Sequence, residues 1–286
     1  MTAGGVAAAG RAGLFMYAPE ELRPTVEAWW AGLRGHLAAA GAAAPETLEW
    51  PRDAHEHWTA PDLVLSQTCG YPLTHALAGA LIYVATPRYR APGCAGADYC
   101  SLIVARAVDA GASLLDFEGR RLAVNGLDSQ SGRHALRAAA ADALRAAGRA
   151  APTAPFFSGV ALTGGHRESL ATVRAGGADL CAVDAVTAAL IRDVAPAEWS
   201  GLVEIARTPF APGLPLVTAA GTSPEGVAAL RRGLAAAVAD PALAATRRRL
   251  RIDALEVLPP DAYARVTEME RDAAHTLPER LFHPRQ

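Results

Sequence analysis

Short apolar runs alternate along most of the chain with longer stretches of helical apolar periodicity. The first run, residues 13–17, predicts a buried strand, and apolar residues three or four positions apart over 22–40 predict a helix after it. Further strands are expected at 63–65, 81–86, 101–106, 121–125, 159–162, 179–183, 202–207 and 216–219. Helices are expected at 74–80, 132–147, 167–175, 186–191, 224–239 and 241–250. This alternation is typical of an α/β protein with mostly parallel sheets flanked by helices.

Two crossing segments divide the pattern into two sheet-forming parts. They lie near residues 99–106 and 207–217, and a Pro/Gly-rich stretch at 87–96 precedes the first of them. We therefore expect two lobes joined by a two-segment hinge, with a ligand cleft between the lobes. The expected boundaries are residues 12–104 plus 215–286 for lobe 1, 105–214 for lobe 2, and 1–11 for a flexible N-terminus.

Composition and charge exclude several classes of function. The 286 residues are 51% apolar, which is ample for a buried core, and the formal charge of −2 argues against the basic surface that nucleic-acid binding needs. The chain has no Lys, which excludes Schiff-base chemistry and the nucleotide-binding loop that requires Gly-Lys. No secretory signal is visible in residues 1–12, and no stretch approaches the roughly 20 apolar residues of a membrane span. We expect no nucleic-acid partner and no membrane insertion.

Cysteine and histidine positions do not favour a metal site. The four cysteines lack the paired spacing of zinc ligands, and the His-Glu-His sequence at 55–57 has no further ligand group predicted nearby, so an exposed helix is expected there. We therefore expect neither a metal nor a cofactor. Cys69 and Cys94 fall in two loops near the lobe boundary, and a disulfide between them is a hypothesis that would imply an oxidising compartment.

The sharpest chemical feature is a polar turn at 125–132, Asn-Gly-Leu-Asp-Ser-Gln-Ser-Gly, between a predicted strand and a predicted helix. A helix start exposes backbone N–H groups at the positive end of the helix dipole, and the hydroxyls of Ser129 and Ser131 add donors that suit an oxyanion. The alternative is ordinary N-capping by Asp128 or Ser129, with nothing bound. Taken alone, the turn favours capping.

A resemblance to a known family changes that balance. Residues 115–137, LDFEGRRLAVNGLDSQSGRHALR, resemble the periplasmic phosphate, phosphite and phosphonate binding proteins of ABC transporters, in which a strand precedes D-x-x-S-x-S-G and a helix. Residues 99–104, the turn 163–166 and residues 177–184 resemble the same family in the same order. The resemblance implies the two-lobed fold of type II periplasmic binding proteins and a solute-binding protein rather than an enzyme.

The same resemblance implies a set of ligand-binding residues. Those of lobe 2 are Ser129, Gln130 and Ser131 around the anion, His166 as a donor and Asp184 as an acceptor. Tyr99, within the expected lobe 1, matches the family's aromatic contact just before the crossing strand. Lobe 1 departs from the family, because the turn after its second strand is Ser-Gln-Thr-Cys-Gly-Tyr at 66–71. We expect Gln67 and Thr68 in the pocket, with Tyr17 reaching it from the end of the first strand.

We therefore expect a monomeric solute-binding protein that captures a small phosphate-, phosphite- or phosphonate-type oxyanion for an ABC-transporter permease. The resemblance implies a periplasmic location. One alternative is a cytoplasmic ligand sensor with the same fold, which the absence of a visible signal favours. Another is a small enzyme with His166 and Asp184 as acid and base, but no nucleophile–base pair or cofactor fingerprint accompanies these residues in the sequence.

Overall fold

The computed structural model describes residues 10–283, and its elements confirm the α/β class. The strands, in chain order, are β1 (Arg11–Gly13), β2 (Leu63–Gln67), β3 (Leu81–Tyr89), β4 (Cys94–Ala95), β5 (Asp98–Tyr99), β6 (Ser101–Arg106), β7 (Arg121–Val124), β8 (Gly159–Leu162), β9 (Leu180–Asp184), β10 (Leu202–Arg207), β11 (Ala211–Pro212), β12 (Leu216–Ala219) and β13 (Ile252–Glu256). The α-helices are α1 (Arg23–Ala39), α2 (Ala54–Trp58), α3 (Gly70–Thr74), α4 (Ala135–Ala146), α5 (His166–Arg174), α6 (Ala185–Val194), α7 (Pro224–Ala239), α8 (Ala244–Arg249), α9 (Ala264–Thr276) and α10 (Glu279–Phe282). A bilayer-crossing helix would have to be longer and more apolar than any of these.

Contacts divide the chain into two compact units, and the first sheet lies in unit 1. Unit 1 comprises the chain up to Cys69, His75–Tyr89 and Gly213–Pro259. Its strand order is β1-β2-β12-β3-β13. β1 and β2 run parallel, whereas β12 runs antiparallel to both β2 and β3. Helix α1 packs against α7 and buries Trp30 and Leu37, which the helical periodicity predicts.

Unit 2 contains the second sheet. It comprises Gly70–Thr74, Arg90–Pro212 and the chain from Pro260. The strand order is β10-β6-β9-β7-β8, in which β7 runs parallel to β8 and β9, and β6 runs antiparallel to β9 and β10. A smaller sheet has the order β11-β5-β4. Helix α9 packs against α4, and Phe282 of α10 is fully buried in the core of this unit.

These units differ from the lobe boundaries expected from the sequence. The expected boundary after residue 104 falls within β6, whereas the whole of β6 belongs to the unit 2 sheet, where it pairs on one side with β9 and on the other with β10. It also assigns the segment from Pro260 to lobe 1, whereas the apolar face of this segment, including Phe282, is buried in unit 2. Of the expected flexible N-terminus, residues 1–9 lie outside the described residues and Arg11 begins β1.

Three predicted elements are wrong in position or type. The first strand is Arg11–Gly13 rather than 13–17, and α3 begins at Gly70, before the predicted helix at 74–80. Strand β13 follows α8 where only helices are predicted. Arg251, with a φ of 59°, turns the chain from α8 into this strand. Helices often end at a left-handed residue of this kind, but it is usually Gly, so the sequence carries no glycine signal for the turn.

His57 differs from the exposed-helix expectation. It lies on α2 but is only 2% exposed, and its Nδ1 is 3.0 Å from Glu49 Oε2. Burial lowers the pKa of His57 below its usual value, although Glu49 opposes the shift. The histidine is therefore a packing residue of unit 1, held neutral by its surroundings.

Gly233 marks a close approach of α7 to α1. A Cβ on Gly233 would lie 2.8 Å from Leu37 Cα and 3.0 Å from His36 O, which is closer than van der Waals contact allows. Gly233→Ala should therefore lower the free energy of unfolding by about 1–3 kcal/mol, although alanine is the better helix former. Urea unfolding measures the difference.

Gly35 in α1 supplies the matched control. A Cβ there meets nothing within 4 Å, so Gly35→Ala removes only the conformational freedom of glycine. This variant should raise the free energy of unfolding by about 1 kcal/mol. Equal stabilisation by the two substitutions would mean that α1 and α7 can move apart without cost, contrary to our account of Gly233.

Candidate functional site

The turn after β7 leads into a wide, capped helix start. The Oγ of Ser129 accepts a hydrogen bond from the Gly132 N–H at 3.0 Å, so the capping role expected for Ser129 is confirmed. The Ser129 carbonyl accepts from the N–H groups of both Arg133, at 3.2 Å, and His134, at 3.1 Å. The second bond spans five residues and makes the turn Gln130–His134 π-helical. Such turns occur frequently at functional sites, so the cap does not exclude a ligand.

Gly132 allows neighbouring side chains to approach this turn closely. A Cβ on Gly132 would lie 1.8 Å from Asn125 Oδ1 and 3.3 Å from His166 Cε1. Asn125 follows β7 directly, and its side chain therefore occupies space that any residue other than glycine would need. The glycine that ends the sequence motif thus has a packing function.

The two segments singled out in the sequence, around Ser129 and around His166, meet in the structure. Ser131 Oγ is 2.9 Å from His166 Nε2 and 3.4 Å from Ser129 Oγ. Ser129 and Ser131 are 7% and 4% exposed, and His166 is partly exposed at the start of α5. Two hydroxyls and one imidazole therefore form a compact group within unit 2, which we call the hydroxyl–imidazole group.

Strand register explains why these residues meet. β7 pairs in parallel with β8, Val124 opposite Leu162, so their carboxyl ends lie side by side. The Thr163 N–H donates to the Val124 carbonyl at 2.9 Å, and the Thr163 Oγ1 lies 2.7 Å from Ser169 Oγ. These bonds hold the turn before α5 against the end of β7. The polar residues after both strands are consequently brought to one edge of the sheet.

Burial keeps the His166 imidazole neutral. Desolvation lowers the pKa of His166 from 6.5 to about 4, an interaction with the backbone of Ala182 works in the opposite direction, and part of the residue remains accessible. His166 also begins α5, where the helix dipole disfavours a positive charge. A neutral ring donates from one nitrogen and accepts at the other, so His166 can donate a hydrogen bond without being protonated further.

Asp184 ends β9 and caps the next helix. Its Oδ1 accepts from the N–H groups of Val186, at 2.7 Å, and Thr187, at 3.1 Å, at the start of α6. The side chain is buried, with 2% of the residue exposed. β9 runs parallel to β7, so Asp184 ends a third strand whose carboxyl end lies at the same edge of the sheet. Asp184 is therefore the N-cap of α6.

Two further predicted residues, Tyr99 and Gln130, belong to unit 2 but are not part of the hydroxyl–imidazole group. Tyr99 is 3% exposed and lies in β5 of the three-stranded sheet, paired with Cys94 and Ala211. Gln130 is 1% exposed, and its Nε2 donates to the Met269 sulfur of α9 at 3.4 Å. The Gln130 side chain is thus engaged with the C-terminal segment rather than with the two serines.

Two of the predicted residues of unit 1, Tyr17 and Gln67, meet at Tyr89. Tyr17 packs edge-on against Tyr89, with ring centroids 5.0 Å apart, and the Gln67 Nε2 donates to the Tyr89 hydroxyl at 3.2 Å. All three line an apolar cavity of about 40 Å³. Thr68 has no exposed surface, and its N–H donates to the Pro215 carbonyl at 3.1 Å. The sequence reasoning misses Tyr89, because it assigns residues after 86 to a loop, whereas β3 extends to Tyr89.

The four cysteines form no disulfide, so the hypothesised bond between Cys69 and Cys94 is not present. Cys69 belongs to unit 1 and Cys94 to unit 2. Burial raises the pKa of Cys94 to about 12, with smaller contributions from Asp184 and Cys100, and burial raises the pKa of Cys181 to about 12. These thiols are therefore protonated and poorly nucleophilic near neutral pH. Among residues 10–283, no cluster of three or more His, Cys, Asp or Glu has metal-binding geometry.

Comparison with solved structures gives proteins of the same fold. XAC2383 from Xanthomonas citri, bound to a chloride ion, is 17% identical over 94% of this chain and 99% of that one, with a TM-score of 0.69. A binding protein component of an ABC phosphonate transporter, PA3383 from Pseudomonas aeruginosa, is 16% identical over 93% of this chain and 86% of that one, with a TM-score of 0.68. PhnD1 from Prochlorococcus marinus, in complex with methylphosphonate, is 14% identical over 93% of this chain and 98% of that one, with a TM-score of 0.69. At this identity the likeness shows the fold alone, and it confirms the expected type II periplasmic-binding-protein architecture.

Sequence comparison gives the family. A search of curated proteins finds no match to this chain. The profile of the family described as ABC transporter, phosphonate, periplasmic substrate-binding protein matches residues 60–263, which is more than half of the chain. This match includes the strand-end turns that carry Ser129, Ser131, His166 and Asp184, and it confirms the resemblance noted in the sequence. The chain therefore belongs to the family of periplasmic substrate-binding proteins of phosphonate ABC transporters.

Proposed function

We propose that the protein, acting as a monomer, captures a small phosphorus oxyanion of the phosphate, phosphite or phosphonate type and delivers it to an ABC-transporter permease. Membership of a substrate-binding family supports a small-molecule ligand and a transporter partner. The observation that most directly supports an oxyanion ligand is the 2.9 Å contact between Ser131 Oγ and His166 Nε2. This contact brings two donor-bearing turns together at one edge of the sheet.

The chemistry of the hydroxyl–imidazole group suits an oxyanion. Serine hydroxyls rotate to donate toward an anion, and the π-helical start after Ser129 places backbone N–H groups at the positive end of a helix dipole. The neutral His166 adds a donor whose charge responds to the ligand. The solved structure of PhnD1 with methylphosphonate shows that this fold accepts a phosphonate in another protein.

The other predicted residues have less direct roles in ligand binding. Asp184 remains an acceptor for a proton on the ligand, since a carboxylate offers roughly four acceptor positions and the α6 cap uses only part of them. Tyr99 of unit 2 is assigned to the shape of the pocket, whereas Tyr17, Gln67 and Thr68 stay predictions of the family resemblance. Gln130 contributes its backbone, because its side chain is engaged with Met269.

An acid–base enzyme receives less support. A histidine with a pKa of about 4 is a weak base near neutral pH, and Asp184 is held by two backbone N–H groups of α6. A general base works best when its pKa lies near the operating pH. We therefore assign His166 and Asp184 to ligand binding.

A thermal-shift screen tests the proposal. The ligands are phosphate, phosphite, methylphosphonate, aminoethylphosphonate, sulfate and acetate, each at constant ionic strength. A ligand present at about 100 times its Kd stabilises the folded state by roughly 2.7 kcal/mol. We expect at least one phosphorus oxyanion to raise the Tm and acetate to leave it unchanged. If none of the four phosphorus oxyanions raises the Tm, the ligand class is wrong, although membership of the family stands.

A further inference from the structure

A polar cavity lies in unit 2 and is not used by the proposed function. It measures about 610 Å³, within the range of ligand sites, and its polar lining includes Tyr71, Arg133, His134, Arg137, Glu270 and Glu279. All of these residues belong to unit 2. The cavity is bounded by the start of α4 and by the C-terminal helices α9 and α10.

Two buried guanidinium groups dominate this cavity. Arg133 and Arg137 are one helical turn apart, on the same face, and are only 7% and 3% exposed. Burial lowers the pKa of Arg133, with a further contribution from the charge of Arg137, and burial lowers the pKa of Arg137. Two like charges at this spacing repel each other, so the pair requires a negative partner.

The carboxylate of Glu279 supplies that partner. One of its oxygens contacts Arg133 and the other contacts Arg137. The Glu279 side chain is 50% exposed, in contrast to the arginines it bridges. It belongs to α10, a helix of four residues. The carboxylate that neutralises the arginine pair therefore belongs to the short helix α10 and is accessible to solvent.

Donor groups at the pair exceed what Glu279 uses. The Arg137 Nε is buried and has no hydrogen-bond partner among residues 10–283, while another Arg137 nitrogen donates to the Glu270 carbonyl at 3.2 Å. Arg133 donates to the Leu127 carbonyl at 3.3 Å, and its Nε and one of its terminal nitrogens lie 3.4 and 3.2 Å from His283 Nε2. The spare donor of the pair is therefore the Nε of Arg137, so the pair can serve an acceptor oxygen beyond those that Glu279 supplies.

One wall of the cavity is held rigid. The Tyr71 ring stacks on His134, with centroids 3.5 Å apart and an interplanar angle of 9°, and the Tyr71 hydroxyl donates to Glu270 Oε1 at 3.0 Å. Burial and Glu270 raise the pKa of Tyr71 to about 12, which keeps this hydroxyl a donor. A ligand at the arginine pair would thus meet a preorganised surface.

We propose that Arg133 and Arg137 form a second anion site, that the Glu279 carboxylate is its internal occupant, and that a doubly charged tetrahedral oxyanion such as inorganic phosphate replaces Glu279 there. A phosphate dianion brings two charges and more acceptor oxygens, where the carboxylate brings one charge and two oxygens. Paired arginines are suited to such anions because their planar forks donate two parallel bonds. Exchange requires only the half-exposed Glu279 to move aside.

Inorganic phosphate is the probe, and the Ser129→Ala/Ser131→Ala background removes the proposed first site. In this background, isothermal titration at constant ionic strength compares the Kd for phosphate of the protein that keeps Glu279 with that of the Glu279→Gln protein. Removing the competing carboxylate should raise the affinity for phosphate by at least about tenfold and give one site per chain. Without phosphate, Glu279→Gln should have a lower Tm, and phosphate should restore it.

Control variants test whether the gained phosphate binding depends on the arginine pair. Arg137→Met, or Arg133→Met if the first variant does not fold, should remove the gained phosphate binding from the Glu279→Gln protein. Glu198 is a matched acid, because both its carboxylate oxygens accept from Arg167 at 2.8 Å in the same unit, whereas Arg174 contacts only its backbone carbonyl. Glu198→Gln should lose stability and gain no phosphate binding. If Glu279→Gln gains no affinity, or if Glu198→Gln gains as much, the second site does not exist. Because the proposed first site is weakened to the same extent in every variant compared, this result is independent of the proposed function.

Discussion

Replacing Ser129 and Ser131 together with alanine should weaken oxyanion binding by about two to four orders of magnitude. Each hydroxyl is expected to donate one hydrogen bond to the bound anion, and a hydrogen bond to a charged group contributes about 1.5–3 kcal/mol. Two such bonds amount to about 3–6 kcal/mol, and each 1.4 kcal/mol is a factor of ten in Kd. Isothermal titration of the oxyanion that gives the largest thermal shift measures the loss.

The same substitution should also lower the stability of the ligand-free protein. Ser129 Oγ accepts from the Gly132 N–H, and the loss of such a cap costs about 1 kcal/mol. The double variant is therefore expected to lower both the affinity for the oxyanion and the Tm of the ligand-free protein. Ser131→Ala alone is the gentler test, because Ser131 bonds to His166 and does not cap the turn.

Ser223 is the matched control for the capping effect. It caps α7 in unit 1 in the same way, accepting from the Gly226 N–H at 3.1 Å. Ser223→Ala should cost a similar free energy of unfolding and leave the Kd for the oxyanion unchanged. If the Ser129→Ala/Ser131→Ala protein binds the oxyanion as tightly as the Ser223→Ala protein does, the two hydroxyls do not bind the ligand. The hydroxyl–imidazole group is then not the oxyanion site.

Sequence patterns predicted the site best where strand order and turn chemistry coincide. The turns after β7, β8 and β9 each carry a polar residue, and parallel strands bring their carboxyl ends to one edge. Because of this, the proximity of Ser131 and His166 could be anticipated although 35 positions separate them. The glycine at 132 was equally informative, since the side chain of Asn125 leaves no room for a Cβ at this position.

Side-chain direction was less predictable than position. The π-helical bond from the His134 N–H to the Ser129 carbonyl widens the turn, and Gln130 then faces Met269 rather than the serines. Nothing local in the sequence signals this extra width. Gln130 therefore lies where the motif predicts in the chain, but its side chain contacts Met269 instead of the two serines.

Long-range packing was the part least accessible from the sequence. Phe282 is buried in the core of unit 2, and β13 adds to the edge of the unit 1 sheet beside β3. Both outcomes depend on which surface a C-terminal segment covers, and helical or alternating periodicity gives no information about that choice. Tyr89 was missed for a related reason, because β3 continues through a proline-containing stretch that predicts a loop.

Acidification should destabilise the ligand-free protein through His166. Its pKa is about 4 in the folded state and about 6.5 in an unfolded chain. The contribution of the neutral imidazole is fully present above pH 6.5 and is lost progressively as the pH falls from 6.5 to 4, because the unfolded state then binds the additional proton. With part of the residue accessible, we expect a loss of about 2 kcal/mol across this window, measured by urea unfolding at each pH.

His166→Gln isolates this contribution, because a glutamine amide can replace Nε2 as a partner of Ser131 but does not titrate. The wild-type protein should lose more stability than His166→Gln between pH 6.5 and 4, while His57, whose pKa is also lowered, titrates equally in both. A bound phosphorus oxyanion would favour the imidazolium, so saturating ligand should reduce the wild-type loss and leave the variant unaffected. Identical pH profiles of the two ligand-free proteins would contradict a buried, neutral His166. A wild-type profile that saturating ligand does not change would instead place the anion away from this ring.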